Sequence, residues 1–448
     1  MNKPFDRRSF LKLAGLAAGA GLVPAGAFRA LADTPAYTGT FLVTVHAGGG
    51  WDPLFLCDPK DDPTLNRIAA GVGTAGNLRF SDHEVDPVAL GYDATHATEY
   101  AANMLSNRTF FERHRARTVV LNGVDTRTNN HDTGTRFVWS GHSPVGHPSI
   151  GALAAAAAGP GRPIAYLSQG GYDHTAGLVP LARAANAYAM GRLVDPNRID
   201  PTNAESERYH APGTYARILE AQRARLAADR EAASLPRMRG AMERMERARL
   251  GTADLGALVL PESLMQLPGY ELYDLQLMMQ QTQLAMSAFA AGVSVAASLT
   301  IGGFDTHGSH DQLHVRQLAK LLAGVDFIRR EAERAGLGHR VMIVVGSDFG
   351  RGPTYNGTNQ YAGKDHWPST SMMVLLPDGA RGGDRVIGAT DDGQRPRGLD
   401  PVTLAPVDGG TRLSPATVQR ALRRLLSLEG NTDAAQYPLL GDDLALFG

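Results

Sequence analysis

The sequence predicts an α/β fold with a mostly parallel, doubly wound sheet, and three observations support this. Short apolar or β-branched runs have the length of buried strands, the stretches between them carry helical three-and-four spacing, and polar, glycine-flanked clusters directly follow the strand-like runs. The runs fall at 41–45, 118–122, 163–167, 293–301, 340–346 and 371–376. Helical spacing covers 271–291, 312–335 and 416–428. Residues 205–250 differ, being rich in Arg, Glu, Ala and Met with few strand formers, and read as a helical insertion or cap. Residues 378–413, dense in Gly, Asp, Arg and Pro, read as loops with an edge hairpin.

Composition narrows the function classes. The 448 residues are 43% hydrophobic and 20% charged, which excludes disorder and fibrous repeats. With 44 Lys plus Arg against 45 Asp plus Glu the net charge is -1, so no basic field exists to draw a nucleic-acid backbone. Cys57 is the one cysteine, which excludes an internal disulfide and a thiolate cluster. Any metal must therefore be held by oxygen and nitrogen.

The N-terminus reads as a targeting segment. Asp6-Arg7-Arg8-Ser9-Phe10-Leu11-Lys12 fits the twin-arginine export pattern and leads through a weakly apolar Ala/Gly run to Ala30-Leu31-Ala32, a small-x-small cleavage signal. Residues 1–32 are expected to be the signal peptide and 33–448 the mature protein, periplasmic or secreted. Removing the five bases and one acid of the segment leaves 39 bases against 44 acids. Neither the leader nor any later stretch has the roughly 20 uninterrupted apolar residues of a membrane span. The partners expected are the twin-arginine translocation machinery and an anionic ester, small molecule or glycan, with no nucleic acid and no stable membrane span after cleavage.

In open α/β sheets ligands gather beyond the carboxyl ends of the strands. Here the first strand runs into Gly48-Gly49-Gly50-Trp51-Asp52, and the second into Asp125-Thr126-Arg127-Thr128-Asn129-Asn130-His131-Asp132. Later ones run into Gly302-Gly303-Phe304-Asp305-Thr306-His307-Gly308-Ser309-His310 and Ser347-Asp348-Phe349-Gly350-Arg351, and Gly363-Lys364-Asp365-His366-Trp367 precedes a further strand. Asp and His supply the donors that Zn²⁺, Mn²⁺ or Mg²⁺ accept, and an ion with open positions suits phosphate- or sulfate-ester hydrolysis. Taken singly, Asp52, Asp305 and Asp348 read equally as ligands or as turn and cap residues. His46, His131 and His310 read as hydrogen-bonded structural residues, whereas His307 and His366, each close to an acid and a glycine, read as ligands.

The twin-arginine leader, the strand followed by Gly-Gly-x-Asp, Gly-Gly-Phe-Asp-Thr-His, Ser-Asp-Phe-Gly-Arg and Gly-Lys-Asp-His together resemble the family called domain of unknown function 1501. That exported bacterial group is related to the sulfatases and alkaline phosphatases. The resemblance spans essentially the mature chain and is strongest over 292–376. It implies an alkaline-phosphatase-like three-layer α/β/α fold with a metal site of one or two ions at the sheet edge. It also implies a ligand set of Asp52, Asp305, His307, Asp348 and His366, with His310 competing for the place of His307. The nucleophile slot falls on Asn130, before His131, and Thr128, Thr133 and Thr135 are nearby hydroxyls. Where two-metal relatives carry a histidine after the later aspartate, this chain has Phe349. Cys57-Asp58-Pro59-Lys60-Asp61 opens like the C-x-P-x-R maturation motif of sulfatases but lacks its arginine, so Cys57 reads as a small buried residue. Arg351 and Lys364 read either as holding an anionic ester or as structural ion pairs. The expectation is an exported metal-dependent hydrolase of phosphate or sulfate esters. The alternative is a catalytically inactive exported protein that binds an envelope glycan or protein.

Overall fold

Runs of buried residues long enough for a strand and too short for a helix become strands wherever neighbours can take up their backbone hydrogen bonds. In the computed structural model twelve such strands occur among the described residues, which are 37–448 apart from 159–160, 185, 204, 251–254, 256–257 and 262. The expected signal peptide, 1–32, lies outside them. The strands are β1 (Phe41–Ala47), β2 (Gly71–Ala75), β3 (Leu78–Asp82), β4 (Thr118–Asp125), β5 (Tyr166–Ser168), β6 (Leu181–Ala182), β7 (Ala296–Ile301), β8 (Val341–Ser347), β9 (Gly350–Tyr355), β10 (Lys364–Trp367), β11 (Ser369–Leu375) and β12 (Arg385–Ile387). Eight of them form one sheet in the order β12-β4-β11-β8-β1-β7-β5-β6, and β2-β3 and β9-β10 are separate hairpins.

The central strand β1 is buried along its whole length and runs parallel to both neighbours. Its register brings Ala47 level with Ile301 of β7 and Ser347 of β8. The three loops that follow these strands therefore leave the sheet at one edge. Strand β11 is the exception to the parallel pattern, being antiparallel to both β4 and β8. A parallel return usually runs through a crossover helix, whereas the segment between β8 and β11 holds no helix and forms the β9-β10 hairpin, which turns the chain back. In the tail expected to hold an edge hairpin, β12 is instead a single short strand parallel to β4.

Helices Tyr273–Ala290 and His310–Arg334 pack together, as do His131–Ser140 and Pro415–Leu425, and these pairs cover the sheet in the α/β/α arrangement. The insertion expected at 205–250 contains two helices, Pro212–Ala232 and Pro236–Leu250, packed on each other and each opened by a proline, whose missing N–H is not needed in a first turn. No described helix is long and apolar enough to cross a membrane.

Leu42, fully buried in β1 between β7 and β8, tests how closely this centre is packed. Leu42→Ala is expected to destabilise by roughly 2–5 kcal/mol. Chemical denaturation reads this, and a loss below about 1 kcal/mol would contradict a close-packed central strand.

A candidate metal centre at the sheet edge

The glycines after β1 are required by close approaches. Gly49 (φ +118°) and Gly50 (φ +80°) adopt left-handed backbone, and a Cβ on Gly49 would meet the Asp305 N at 2.4 Å. The resulting turn points two amides inward, and both donate to Asp348 Oδ1, from Gly49 at 3.1 Å and Gly50 at 2.7 Å. The Ser347 hydroxyl adds a third bond at 2.9 Å. The other oxygen, Oδ2, takes the Nδ1–H of His131. His131 is the first residue of helix His131–Ser140, which lies against this turn because Gly134 has no side chain; a Cβ there would meet the Asp348 carbonyl oxygen at 2.3 Å.

Asp305, about half exposed, sits at the centre of a ring of imidazoles. His366 Nε2 lies 3.0 Å from its Oδ1, His307 Nε2 also 3.0 Å, and His131 Nε2 3.7 Å from Oδ2. The far nitrogen of each ring has an acceptor: Asp348 for His131, Asp365 Oδ1 at 3.1 Å for His307, and the Asn129 carbonyl at 2.9 Å for His366. Each Nδ1 therefore carries a proton, and in the neutral tautomer each Nε2 is a lone pair aimed at Asp305. His307 Nε2 and His366 Nε2 are 2.9 Å apart, and Arg351 Nη1 lies 3.4 Å from His307 Nε2, so the cation facing this pair of lone pairs is the guanidinium. Ligand atoms of His131, Asp305 and His366 all lie within 4.8 Å of one another, a donor set of borderline nitrogen and hard oxygen that fits a divalent ion. Carboxylates or carbonyls behind ligating histidines are the usual orienting arrangement in such sites.

A second polar cluster lies beneath the first and is closed to solvent. Asp52 Oδ2 accepts from Lys364 Nζ at 2.7 Å and faces His310 Nε2 at 3.1 Å; Oδ1 caps the turn Pro53–Phe55 through the Leu54 N and accepts from Gln394. Asp52, Lys364, His310 and His314 are all fully buried. Thr306 joins the clusters, its hydroxyl lying 2.7 Å from His310 Nδ1 and 3.0 Å from His314 Nδ1, while its chain neighbours Asp305 and His307 face outward. Burial opposes ionisation of Asp52, but Lys364 and His310 outweigh it and hold the carboxyl well below its ordinary value. Burial lowers Lys364, with Asp52 pulling it back, and keeps His310 and His314 below the usual histidine range.

The residues singled out in the sequence thus part company in space. Asp305, His307 and His366 meet in the outer ring, and Asp348 stands behind it, oriented on His131. Asp52 is apart from them, with both oxygens occupied in the buried cluster. Arg351 is buried and donates to the carbonyls of Gly49, Gly50 and Lys364 and to Asp305. Lys364 is spent on Asp52 and the Leu65 carbonyl. Both thus make structural pairs. Asn130 is the N-cap of its helix, accepting from the Thr133 N at 3.0 Å, and Thr128 accepts from the Asn130 N. Of the two candidate histidines, His307 faces the ring and His310 the interior. Cys57 is buried beside Asn122, and burial pushes its thiol up. Sequence reasoning missed the inward role of His314; its signal was the i, i+4 spacing from His310, which puts both rings on one helix face.

Two outcomes follow. Burial opposes the charge on Asp305, yet the Arg351 guanidinium that donates to it brings its carboxyl down to about 2, below the ordinary 3.8. Its contribution is then fully present above about pH 4 and lost as pH falls toward about 2, so Asp305→Asn should flatten the acid limb of stability in a denaturation series. Lys364→Met leaves Asp52 ionised and buried and should cost roughly 3–5 kcal/mol, much of it recovered in the double variant Asp52→Asn/Lys364→Met. An unchanged acid limb, or a single variant as stable as the parent, would contradict these assignments.

No curated protein matches the sequence. Solved structures it resembles include the PsFucS1 sulfatase from Pseudoalteromonas sp., at 10% identity over 95% of this chain and 76% of that one, with a TM-score of 0.39. The phosphonate monoester hydrolase of Agrobacterium radiobacter shares 10% identity over 90% and 78%, with a TM-score of 0.34. The lipoteichoic acid synthase LtaP from Listeria monocytogenes shares 8% over 95% and 82%, with a TM-score of 0.32. The sequence model of one family matches residues 40–405, and the chain therefore belongs to the family described as "Protein of unknown function (DUF1501)".

Proposed function

We propose that the protein is an exported hydrolase of phosphate or sulfate esters that works with one divalent ion, Zn²⁺, Mn²⁺ or Mg²⁺. The observation that carries this reading is the convergence of three imidazole Nε2 atoms on the half-exposed Asp305 carboxylate, each ring fixed by an acceptor behind it. Asp305, His366 and His131 would hold the ion, with His307 beside them. A bound divalent ion supplies Lewis-acid polarisation of the ester oxygen. The protein's own groups orient and exclude. Asp348 fixes the ring of His131, and Asp365 that of His307. Arg351 holds the Asp305 carboxylate and the glycine turn together.

Support for a single ion comes from the buried cluster. A second cation would need Asp52, and its oxygens are already matched by Lys364, His310, Gln394 and a backbone amide. Because Asn130 carries an amide committed to a helix cap, water takes the place of a protein hydroxyl as attacking group. Its oxygen joins phosphorus or sulfur, the ester bond breaks, and the alcohol leaves with a proton. Export through the twin-arginine route belongs to the same reading and rests on Arg7 and Arg8.

One observation favours a second reading, a protein that binds without turnover. The Phe349 ring packs 4.7 Å from His131 and 4.4 Å from His366, centroid to centroid, so an apolar wall closes one side of the ring of donors.

Elemental analysis of mature protein purified without chelator should find about one ion per chain. Asp305→Ala and His366→Ala should each lose it, together with activity on a panel of aryl phosphates and sulfates. Full metal content in Asp305→Ala would overturn the site. Metal present with no turnover across the panel would favour the binding protein. Replacing Arg7 and Arg8 by lysine should leave the protein in the cytoplasm, and unimpaired export would refute that route.

A further inference from the structure

His46 is the penultimate residue of β1, level with Thr300 of β7 and Gly346 of β8. The indole N–H of Trp139 donates to its Nδ1 at 3.0 Å. An indole nitrogen can only donate, so His46 Nδ1 is a lone pair and the proton of the neutral ring sits on Nε2. That nitrogen has no hydrogen-bond partner among the described residues, yet it is not among the polar atoms sealed from solvent. Its neighbour at the sheet edge is Gly48, where a Cβ would stand 3.5 Å from it. On the other flank Gly171 (φ +70°) approaches so closely that a Cβ would meet that of His46 at 3.1 Å, which pins the ring.

The contrast with the buried histidines is informative. His310 and His314 have both nitrogens engaged, by Thr306 on one side and by the carboxylate or amide of Asp52 on the other. His46, itself buried, has one nitrogen locked and the other left as an oriented donor without a partner among the described residues. Burial, the main influence on it, and nearby His131 keep it neutral against the pull of Asp348. The strand end that carries His46 lies against the segment that carries Asp305: the Phe304 N donates to the Gly48 carbonyl at 3.2 Å, and a Cβ on Gly49 would meet the Asp305 N.

We propose that His46 is an anion-contacting residue whose Nε2–H donates to an oxygen of the phosphate or sulfate group bound at the Asp305 centre. This rests on the hydrolase reading above. The probes are inorganic phosphate and sulfate, titrated calorimetrically into the metal-loaded full-length mature protein, with metal content measured for each variant. His46→Ala should weaken phosphate and sulfate binding about tenfold or more, as loss of a hydrogen bond to a charged group does, at unchanged metal content. His46→Gln, which keeps a side-chain donor, should recover part of the loss. In ¹⁵N spectra of the parent the His46 proton should be on Nε2 and should respond to either anion. A His46→Ala variant that binds both anions as tightly as the parent, or a proton found on Nδ1, would overturn the role of His46 alone. A parent that takes up no metal would instead overturn the hydrolase reading on which it rests.

Discussion

The Asp348 carboxylate is the interaction on which the rest of the site depends. It is almost fully buried, and a buried charge costs several kcal/mol unless its lone pairs are satisfied. Satisfaction comes from three parts of the chain: the amides of Gly49 and Gly50, the adjacent Ser347 hydroxyl, and the imidazole of His131. These demands account for the left-handed glycines after β1 and for the bare Gly134 face that lets the helix come close. They also fix the ring of His131, and so the direction of the nitrogen that faces Asp305.

Charge at this edge is organised in two tiers. The lower tier, Asp52 with Lys364 and two neutral histidines, is matched within itself and sealed. The upper tier has the Asp305 carboxylate among three imidazoles, with Asp365 bonded to one of them, and Arg351 reaches Asp305 from below. Thr306 separates them. In this turn the Thr306 side chain points inward while those of its neighbours Asp305 and His307 point outward. The hydroxyl of Thr306 is thereby a fixed point for both tiers.

Much of this was legible in the sequence. Every main strand was visible as an apolar run, because strands buried on both faces lose their alternation, and the convergence of loops followed from parallel order. Strand β11 was not legible as antiparallel, since its direction depends on the hairpin before it and an apolar run carries no arrow. The glycine-flanked setting favoured His307 and His366 as ligands and left Asp305 balanced between ligand and turn residue. Asp52 looked the same locally, but its surroundings are set by Lys364, 312 residues away, and no local pattern announces such a partner. Asn130 shows the converse: as a helix cap it follows the familiar preference of Asn for that position, a signal present in the sequence beside the one that pointed to catalysis.

The most direct test of the account is anomalous diffraction from crystals of the mature protein grown with Zn²⁺ or Mn²⁺, collected at the metal's absorption edge. The account requires one strong peak per chain, bounded by Asp305, His131 and His366, with Asp52 still paired to Lys364. A peak at Asp52, two peaks of equal strength, or none in the ring of imidazoles would contradict it.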